Sequence, residues 1–470
     1  MTTLSTAFAQ AAADYRDRTA VIDADGTAYR FSQVQRMADS DASGWYAKGV
    51  RSGDRVLIAM GIGVDLYASL AALWSLGATV VLPEPAMGLA GVRTAIKATQ
   101  PKFFCAAGPY KAIKLLLPDL WRIKLLTPNR HGKAAPYKPV ADPDSLALIS
   151  FTSGTTGTPK AIPRTHAFLM AQWKAVAPLL HSETAEIDLV TFPVFVLINL
   201  AEGRTSVLPN WKMSRLASLE PKAFVNWISA NHCTRALLPP ALCEKLVKAG
   251  ETGTLGHIFT GGGPVFPDVV HNLQNITKNI KVTTVYGSTE AEPIAHANST
   301  EEGYGLYVGR PVDAVRLRIV DMEIQVSGNH VNTGYLDPRR DAENKVYEGA
   351  MIWHRTGDAG RLDDQGRLWL LGRVGDQVTT DKGVQYPFAI ETAARMWPGV
   401  VRAALTERNQ MPVLVIEGDA KHMETWRGGA AAFGIKKVRN ISAIPLDRRH
   451  HSKIDRIALR KYLSIGRNMF

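Results

Sequence analysis

Leu146-Ala-Leu-Ile-Ser-Phe-Thr-Ser-Gly-Thr-Thr-Gly-Thr-Pro-Lys160 joins an apolar run to a loop of small hydroxyl residues and glycines. Residues 146–151 predict a buried strand that leads directly into the loop. Glycines let a backbone approach a polyanion, hydroxyls and amides donate hydrogen bonds to it, and a lysine adds a positive charge. The stretch therefore predicts a phosphate-binding loop at the end of a strand, although its spacing is not that of a Walker loop.

On both sides of this stretch, apolar strand-like runs alternate with helical patterns. Such alternation predicts βαβ units around a buried parallel sheet. Before the loop, strands are predicted at Val56–Met60, Thr79–Leu82 and Lys102–Cys105, and helices at Asp65–Leu76 and Leu89–Thr99. After it, strands are predicted at Leu189–Phe195, Thr205–Leu208, Arg235–Leu238, His257–Thr260 and Lys281–Tyr286.

The pattern changes beyond about residue 305. Arg316–Val320 and Glu323–Val326 alternate with a period of two, as half-exposed antiparallel strands do, and residues 363–366 predict a hairpin turn. Beyond Gly372-Arg373 a tail of β and α segments follows. We therefore predict an α/β protein with a large N-terminal domain (1–372) of βαβ-type sheets flanked by helices, plus a small β subdomain. A small mobile α+β domain (373–470) completes it.

Composition narrows the function classes. The chain has 470 residues and a formal net charge of +12, so its surface should favour anionic ligands. No nucleic-acid-binding motif is found, and three cysteines without CxxC spacing support neither a disulfide framework nor a zinc site. No signal peptide or transmembrane segment is predicted, which makes the cytoplasm the expected location.

The loop is one of several motifs that occur in a fixed order along nearly the whole chain. Thr152–Lys160 resembles the phosphate loop of the adenylate-forming superfamily, which comprises acyl-CoA synthetases, peptide-synthetase adenylation domains and firefly luciferase. The other matching segments are Gly261–Pro264, Val285–Glu290, Gly328–Tyr335, Arg355–Asp358, Gly372-Arg373 and Asp447–Lys453. This resemblance implies an enzyme that uses ATP and Mg²⁺ to form an acyl-adenylate from a carboxylic acid.

The resemblance also implies roles for individual residues. Tyr286 would stack on adenine, Asp358 would accept hydrogen bonds from the ribose with help from Arg373, and Thr289 would donate to the α-phosphate. Glu290 would bind Mg²⁺, and Lys453 would bridge the substrate carboxylate and the α-phosphate. The remaining nucleotide-binding positions are Thr152, Ser153, Gly154, Thr155, Thr156, Gly157, Lys160, Gly261, Gly262, Gly263 and Gly287. Because Lys453 lies in the tail, the site would form between the domains, with rotation about Arg373–Asp376.

The second half of the reaction is less determined. Val196 stands where many acyl-CoA ligases have histidine, and residues 374–386 depart from their usual run, so a CoA-accepting step is in doubt. Several segments look instead like the β-lactone synthetases of bacterial olefin biosynthesis: Phe192–Phe195, Gly203–Pro209, Pro267–Val270, Trp353–Gly360, Asp364–Trp369 and Pro445–His450. Those enzymes adenylate a β-hydroxy acid and close it to a lactone.

Three functions therefore remain open. The first is a β-lactone synthetase, the second is an acyl-CoA or carrier-protein ligase, and the third is a catalytically silent nucleotide- or acyl-binding protein. A carrier protein or pathway enzymes are possible partners beside the small-molecule acid. The acid itself is not identified, but the apolar candidates for its pocket, Phe192, Phe195, Val196 and Pro240, suggest an aliphatic or aromatic tail.

Overall fold

The computed structural model of the chain describes residues 3–84, 87–129, 137–140, 142–152, 159–447 and 452–465. Its strands are β1 (Thr19–Ile22), β2 (Ala28–Arg30), β3 (Arg55–Ala59), β4 (Thr79–Leu82), β5 (Phe103–Ala106), β6 (Lys124–Leu126), β7 (Leu146–Thr152), β8 (Lys160–Thr165), β9 (Ile187–Val190), β10 (Thr205–Val207), β11 (Arg235–Leu238), β12 (His257–Gly261), β13 (Lys281–Ser288), β14 (Ala291–Ala297), β15 (Leu306–Pro311), β16 (Arg316–Val320), β17 (Glu323–Ser327), β18 (Lys345–Glu348), β19 (Met351–Leu362), β20 (Leu368–Arg373), β21 (Val378–Thr380), β22 (Gly383–Gln385), β23 (Val400–Arg408), β24 (Met411–Gly418) and β25 (Lys437–Ile441).

The helices are α1 (Leu4–Asp14), α2 (Phe31–Ala47), α3 (Val64–Ser75), α4 (Gly88–Thr99), α5 (Ile113–Leu116), α6 (His166–Val176), α7 (Pro193–Ala201), α8 (Pro221–Ala230), α9 (Pro240–Ala249), α10 (Pro267–Ile276), α11 (Asp341–Asn344), α12 (Pro387–Arg395), α13 (Met423–Ala431) and α14 (Arg456–Ile465). Short 3₁₀ turns lie at Gly108–Ala112, Pro118–Leu120, Met213–Ser218, Pro338–Arg340 and Ala420–His422.

The first sheet has six strands in the order β6-β5-β3-β4-β7-β8. All its neighbours pair in parallel except β7 and β8, which form an antiparallel hairpin. Apolar strands joined by the crossover helices α3 and α4 give this arrangement, because a parallel pair needs a long connection. The βαβ prediction for this part of the chain is confirmed.

The second sheet has fourteen strands, and some neighbouring strands pair in parallel while others pair antiparallel. From β1 through β10, β9, β11 and β12 to β13 the pairs are parallel. From β13 through β14, β15, β20, β19 and β17 to β16 they are antiparallel, as the change of pattern near residue 305 predicts. The carboxyl ends of β12 and β13, where ligands of such sheets commonly bind, lie side by side.

Two sequence predictions within this sheet are wrong. Residues 189–195 are not one strand, because β9 ends at Val190 and α7 begins at Pro193. Proline is well suited to the first turn of a helix, and a short apolar run does not distinguish a strand from a buried helix. Residues 323–326 are not half-exposed either: β17 is buried between β16 and β19, where Glu323 accepts a hydrogen bond from Arg355 Nε at 2.6 Å.

The C-terminal part has sheets and a core of its own. Strands β21 and β22 form a two-stranded sheet, and β23, β24 and β25 form a three-stranded one. Side chains of β24 alternate: Leu414 and Ile416 pack with Trp426, while Val413 and Val415 pack with the residues of α14. The fold as a whole is mixed α/β, with a large helix-flanked sheet and smaller additional sheets, as predicted.

Candidate active site

The predicted phosphate loop lies between β7 and β8. Thr152, the last residue of β7, pairs with Lys160, the first residue of β8, so both lie at the loop end of the hairpin. Five predicted loop residues lie outside the described residues: Ser153, Gly154, Thr155, Thr156 and Gly157. The predicted strand leading into the loop is confirmed.

Lys160 is half-buried and points toward α11 and its neighbours. Its Nζ donates a 2.8 Å hydrogen bond to Asn344 Oδ1 and lies 5.4 Å from the centre of the Tyr335 ring. Burial lowers the pKa of this lysine, and the nearby Glu290 and Glu343 carboxylates oppose that change. The ammonium group therefore faces the same small region as Glu290.

Residues 286–288 end β13, and Thr289 and Glu290 form the tight turn to β14. Glu290 Oε1 accepts a 3.1 Å hydrogen bond from the Tyr335 hydroxyl, and the main-chain O of Thr289 accepts one from Arg164 Nη2 at 2.7 Å. A Cβ atom on Gly287 would lie 2.9 Å from the Ala291 carbonyl oxygen, so this tight turn requires glycine. Tertiary contacts thus hold the turn from two sides.

Asp358 lies at the centre of a second group of side chains. Its Oδ2 accepts a 2.8 Å hydrogen bond from the Tyr286 hydroxyl, and its Oδ1 accepts one of 2.8 Å from Arg373 Nη1. Asp358 and Arg373 are directly paired across β19 and β20. Burial, followed by the Asp358 charge, raises the pKa of Tyr286 well above its ordinary value, so the phenol remains a donor.

Gly261, which ends β12, and the two glycines after it each lie close to another part of the chain. A Cβ on Gly261 would lie 2.4 Å from the Val285 carbonyl oxygen of the neighbouring strand. Gly262 has φ of +75°, and its Cβ would lie 3.1 Å from the Phe192 ring. A Cβ on Gly263 would lie 2.8 Å from Ser452 Cβ and 3.8 Å from Lys453 Cγ. The structure therefore brings the tail of the chain onto the glycine segment.

The Lys453 segment is held by its own turn and by the N-terminal part. The main-chain N–H groups of Ser452 and Lys453 both donate to Asp447 Oδ1, at 3.0 and 2.8 Å. Ser452 Oγ also accepts a hydrogen bond from the main-chain N–H of Ala241 at 3.3 Å. Lys453 itself is exposed and lies beside Gly263 of the N-terminal part.

The four predicted pocket residues lie in different surroundings. Phe192 is half-buried beside Gly262, and its ring centre is 6.2 Å from that of Phe195. Phe195 and Val196 are buried in the largest core cluster, and Val196 has no exposed surface. Pro240 lines a small cavity between the two parts of the chain, together with Ala241, Glu244, Pro264, Phe266, Val269, Arg395, Arg402, Ala403, Leu446, Ser452 and Ile454.

Several residues of this region were missed by sequence reasoning. Tyr335 ends the matched Gly328–Tyr335 segment but received no role, and Asn344 and Lys345 lie in no motif. Lys345 is buried, and burial lowers its pKa to about 8, opposed by Glu290 and Asp341. Burial lowers the pKa of the adjacent His354 to about 3, so that imidazole is neutral. Only the folding of β18 onto β19 reveals these neighbours.

The fold is shared with enzymes that bind nucleotides. The ATP-bound MatB of Rhodopseudomonas palustris superposes with a TM-score of 0.82 over 98% of this chain and 99% of that one, at 20% identity. A family model described as AMP-binding enzyme matches residues 8–336. The chain belongs to the AMP-binding enzyme family, and the resemblance to the adenylate-forming superfamily is thereby confirmed.

Two curated relatives represent two different activities. An olefin β-lactone synthetase of Stenotrophomonas maltophilia is 28% identical over 92% of this chain and 91% of its own length. A 2-succinylbenzoate–CoA ligase of Geobacillus kaustophilus is 29% identical, but over only 57% of each chain. Across the residues described above, no helix has the length and apolar character that crossing a membrane requires.

Proposed function

We propose that this protein activates a carboxylic acid by joining it to the AMP part of ATP. The observation that carries the proposal is the position of Lys453, whose segment rests on Gly263. Glu290 follows β13 of the sheet to which Gly261 belongs, and Asp358, in β19 of that sheet, accepts a hydrogen bond from Tyr286 of β13. A reaction between two anions needs positive charge between them, and an exposed lysine at this edge supplies it.

Each side chain has a defined task in this reaction. Tyr286 and the Gly261–Gly263 backbone would hold adenine, and Asp358, fixed by Arg373, would accept hydrogen bonds from the ribose hydroxyls. Thr289 and Lys453 would donate to the α-phosphate. An oxygen of the substrate carboxylate attacks the α-phosphorus, the bond from that phosphorus to the bridging oxygen breaks, and pyrophosphate leaves. Catalysis in such a step is mostly positioning and electrostatic stabilisation.

The residues around Glu290 suit magnesium. Mg²⁺ prefers oxygen ligands and keeps several waters, so one carboxylate together with nucleotide phosphates is a sufficient donor set. Within the described ranges, no group of three or more His, Cys, Asp or Glu side chains could hold a metal ion by itself. When bound, the ion would neutralise charge on the phosphates. Glu290 is the residue that would hold it, oriented by the Tyr335 hydroxyl.

We further propose two domains, 1–372 and 373–470, that rotate about Arg373–Asp376. Arg373 is bound to Asp358 in the N-terminal part. Asp376 is bound to Arg460, at 3.0 Å, and to Arg456, at 3.3 Å, both in α14. Gly375 between them has φ of +92°, and apart from its two chain neighbours no described residue has an atom within 4 Å of its Cβ position. The φ and ψ angles that change during this rotation would therefore be those of residues 374 and 375.

For the second step we propose closure of a β-hydroxy acid to a β-lactone. The β-hydroxyl oxygen attacks the carbonyl carbon of the adenylate, the bond from that carbon to the AMP oxygen breaks, and the hydroxyl proton is released. Similarity to the S. maltophilia lactone synthetase over nearly the whole chain supports this choice. The alternative is attack by CoA or a carrier thiol, which the shorter similarity to a CoA ligase supports.

One experiment separates these possibilities. The purified protein is incubated with ATP, Mg²⁺ and a panel of fatty, β-hydroxy, aryl and amino acids, with and without CoA, and the products are identified by mass spectrometry. AMP, pyrophosphate and a lactone from a β-hydroxy acid would support the proposal. AMP release that depends on thiol, without lactone, would favour the ligase. ATP binding without AMP formation from any acid would indicate a silent binding protein.

A further inference from the structure

Lys345 is a buried lysine that none of the matched motifs contains. It begins β18, and only 4% of its surface is exposed. Its Nζ donates a hydrogen bond to the main-chain O of Asn332 and lies 3.2 Å from Nδ1 of His354. Burying an ammonium group is unfavourable unless neighbouring groups accept its hydrogen bonds or compensate its charge. The surroundings of Lys345 show which groups those are.

The aromatic ring of Tyr335 connects Lys345 to Glu290. The Nζ atom of Lys345 lies 5.3 Å from the centre of this ring, and the Nζ atom of Lys160 lies 5.4 Å from it. The Tyr335 hydroxyl donates to Glu290 Oε1. A cation close to a tyrosine ring is attracted by the ring's electrons. Two ammonium groups therefore lie close to the ring whose hydroxyl orients the Glu290 carboxylate.

Hydrogen bonds join the same residues into one network. Asn332, whose carbonyl accepts from Lys345, donates its main-chain N–H to the Glu290 carbonyl at 2.7 Å. Asn344 accepts from Lys160 through Oδ1, and its main-chain O lies 3.2 Å from His354 Nδ1. Lys345 thus reaches both the side chain and the main chain of Glu290 through single intermediates.

We propose that Lys345 is a positioning residue for the pyrophosphate end of the active site. It fixes Tyr335 and Asn332, and through them Glu290. It also adds a buried positive charge beside the half-buried Lys160, where the β- and γ-phosphates and their magnesium ion would lie. This inference rests on the proposed function. The Lys345 ammonium touches neither the reacting carboxylate nor the α-phosphate in this scheme, so it acts through its neighbours.

A merely structural role makes a different prediction. If Lys345 only closed the loop before β18, its loss would loosen the whole site and weaken AMP and ATP alike. If it positions the pyrophosphate end, its loss should weaken MgATP and leave AMP unaffected, because AMP lacks the β- and γ-phosphates. The two nucleotides therefore separate the two roles without any measurement of turnover.

The test uses the full chain carrying Lys345→Met, which keeps the length of the side chain and removes its charge. Isothermal titration calorimetry would measure binding of MgATP, of ATP in EDTA and of AMP. We expect the Kd of MgATP to rise about tenfold, the size of one lost charge-assisted hydrogen bond, with the Kd of AMP unchanged. In turnover assays the Mg²⁺ concentration for half-maximal rate should rise, while the KM of the acid should not.

Lys114→Met is the matched control. Lys114 also donates its ammonium protons to main-chain carbonyls, those of Leu120 and Ile123, but it lies in α5, among residues with no proposed role in the site. It should bind MgATP as the unmodified chain does. Equal weakening of AMP and MgATP in Lys345→Met, or no weakening of either, would overturn the proposal.

A second variant keeps the test decisive where Lys345→Met does not fold. Tyr335→Phe removes only the hydroxyl that holds Glu290, and it should raise the same Kd and the same Mg²⁺ requirement. Where both variants fold, the double variant should weaken MgATP by less than the product of the two single effects, because the residues act together. Full multiplication of the two effects would contradict a shared role. An unmodified chain that binds MgATP but forms no AMP would refute the proposed reaction. The nucleotide-binding measurements on the variants would still test the role of Lys345 in that case.

Discussion

Arg395 and Asp268 form a two-bond ion pair that joins α12 in the C-terminal part to α10 in the N-terminal part. Arg395 Nε and Nη2 lie 2.9 and 2.7 Å from the two carboxylate oxygens of Asp268. The same guanidinium lies 4.7 Å from the centre of the Phe266 ring, whose segment directly follows the glycines of the site. Arg402 and Glu244 form a second pair across the same boundary. These contacts hold the tail where Lys453 meets Gly263.

Breaking the Arg395–Asp268 pair should slow adenylation by releasing the tail. Removing one partner of a buried pair costs about 3 kcal/mol, since the other charge stays without compensation. For Arg395→Gln we expect slower pyrophosphate release and faster proteolytic cleavage near residues 373–376, with ATP affinity unchanged. The exchanged variant Arg395→Asp/Asp268→Arg should recover part of the rate. An unchanged rate and unchanged cleavage in Arg395→Gln would mean that this pair does not hold the domains together.

Removal of the Lys453 ammonium group should affect turnover and spare nucleotide binding. Loss of one well-placed donor to a developing charge lowers the rate by a factor on the order of 10²–10³. We expect Lys453→Ala to show such a fall in pyrophosphate release while its Kd for MgATP stays the same. Lys461→Ala, which changes an exposed lysine of α14, is the control and should turn over normally. Undiminished turnover in Lys453→Ala would show that the assignment is wrong.

A single methyl group at Gly263 should prevent the tail from seating. The new Cβ would lie 2.8 Å from Ser452 Cβ, which is closer than two carbon atoms that are not bonded to each other can approach. Gly263→Ala should therefore fold normally and release pyrophosphate much more slowly. Gly256→Ala is the control, because its Cβ would meet only the Thr234 carbonyl oxygen at an ordinary 3.8 Å. Equal rates in the two variants would place the tail elsewhere during the reaction.

Acid should destabilise the fold through the buried histidine His166. This ring packs edge-on against Trp74, with centres 5.9 Å apart, and burial lowers its pKa to about 4. Because an unfolded histidine titrates near pH 6.5, the unfolded state binds more protons between pH 6.5 and 4, and stability falls as the pH decreases through that window. His166 by itself should account for about 3 kcal/mol of the stability lost between pH 7 and pH 4.

Denaturant unfolding at pH 7, 5.5 and 4 would measure this effect. His166→Gln should lose part of the pH dependence, whereas His181→Gln, at a largely exposed histidine, should keep all of it. The same slope in His166→Gln and in the unmodified chain would show that His166 does not carry the effect.

Local chemistry made much of the fold predictable. Short runs rich in apolar residues, such as Arg235–Leu238, form strands because parallel strands buried on both faces need apolar side chains, and that prediction matches β11 residue for residue. The prediction failed at Pro193, where the apolar run continues but the structure is helical. Runs of that length have no periodicity that separates the two structures, so the flanking proline decided the outcome.

The sequence by itself determined the family, the order of the motifs and the identities of Lys160, Tyr286, Glu290, Asp358 and Lys453 as candidates, because backbone-specific glycines and charged side chains are conspicuous in a chain. The tertiary structure alone decided which of them meet. Tyr286 donates to Asp358 across 72 positions, and Gly263 lies against Ser452 from the far end of the chain. Lys345 became a candidate only through its burial beside Tyr335. Contacts between residues that are distant in the sequence depend on how the strands pair and how the helices pack. A short stretch of sequence contains no information about them, because they form only when the whole core is assembled.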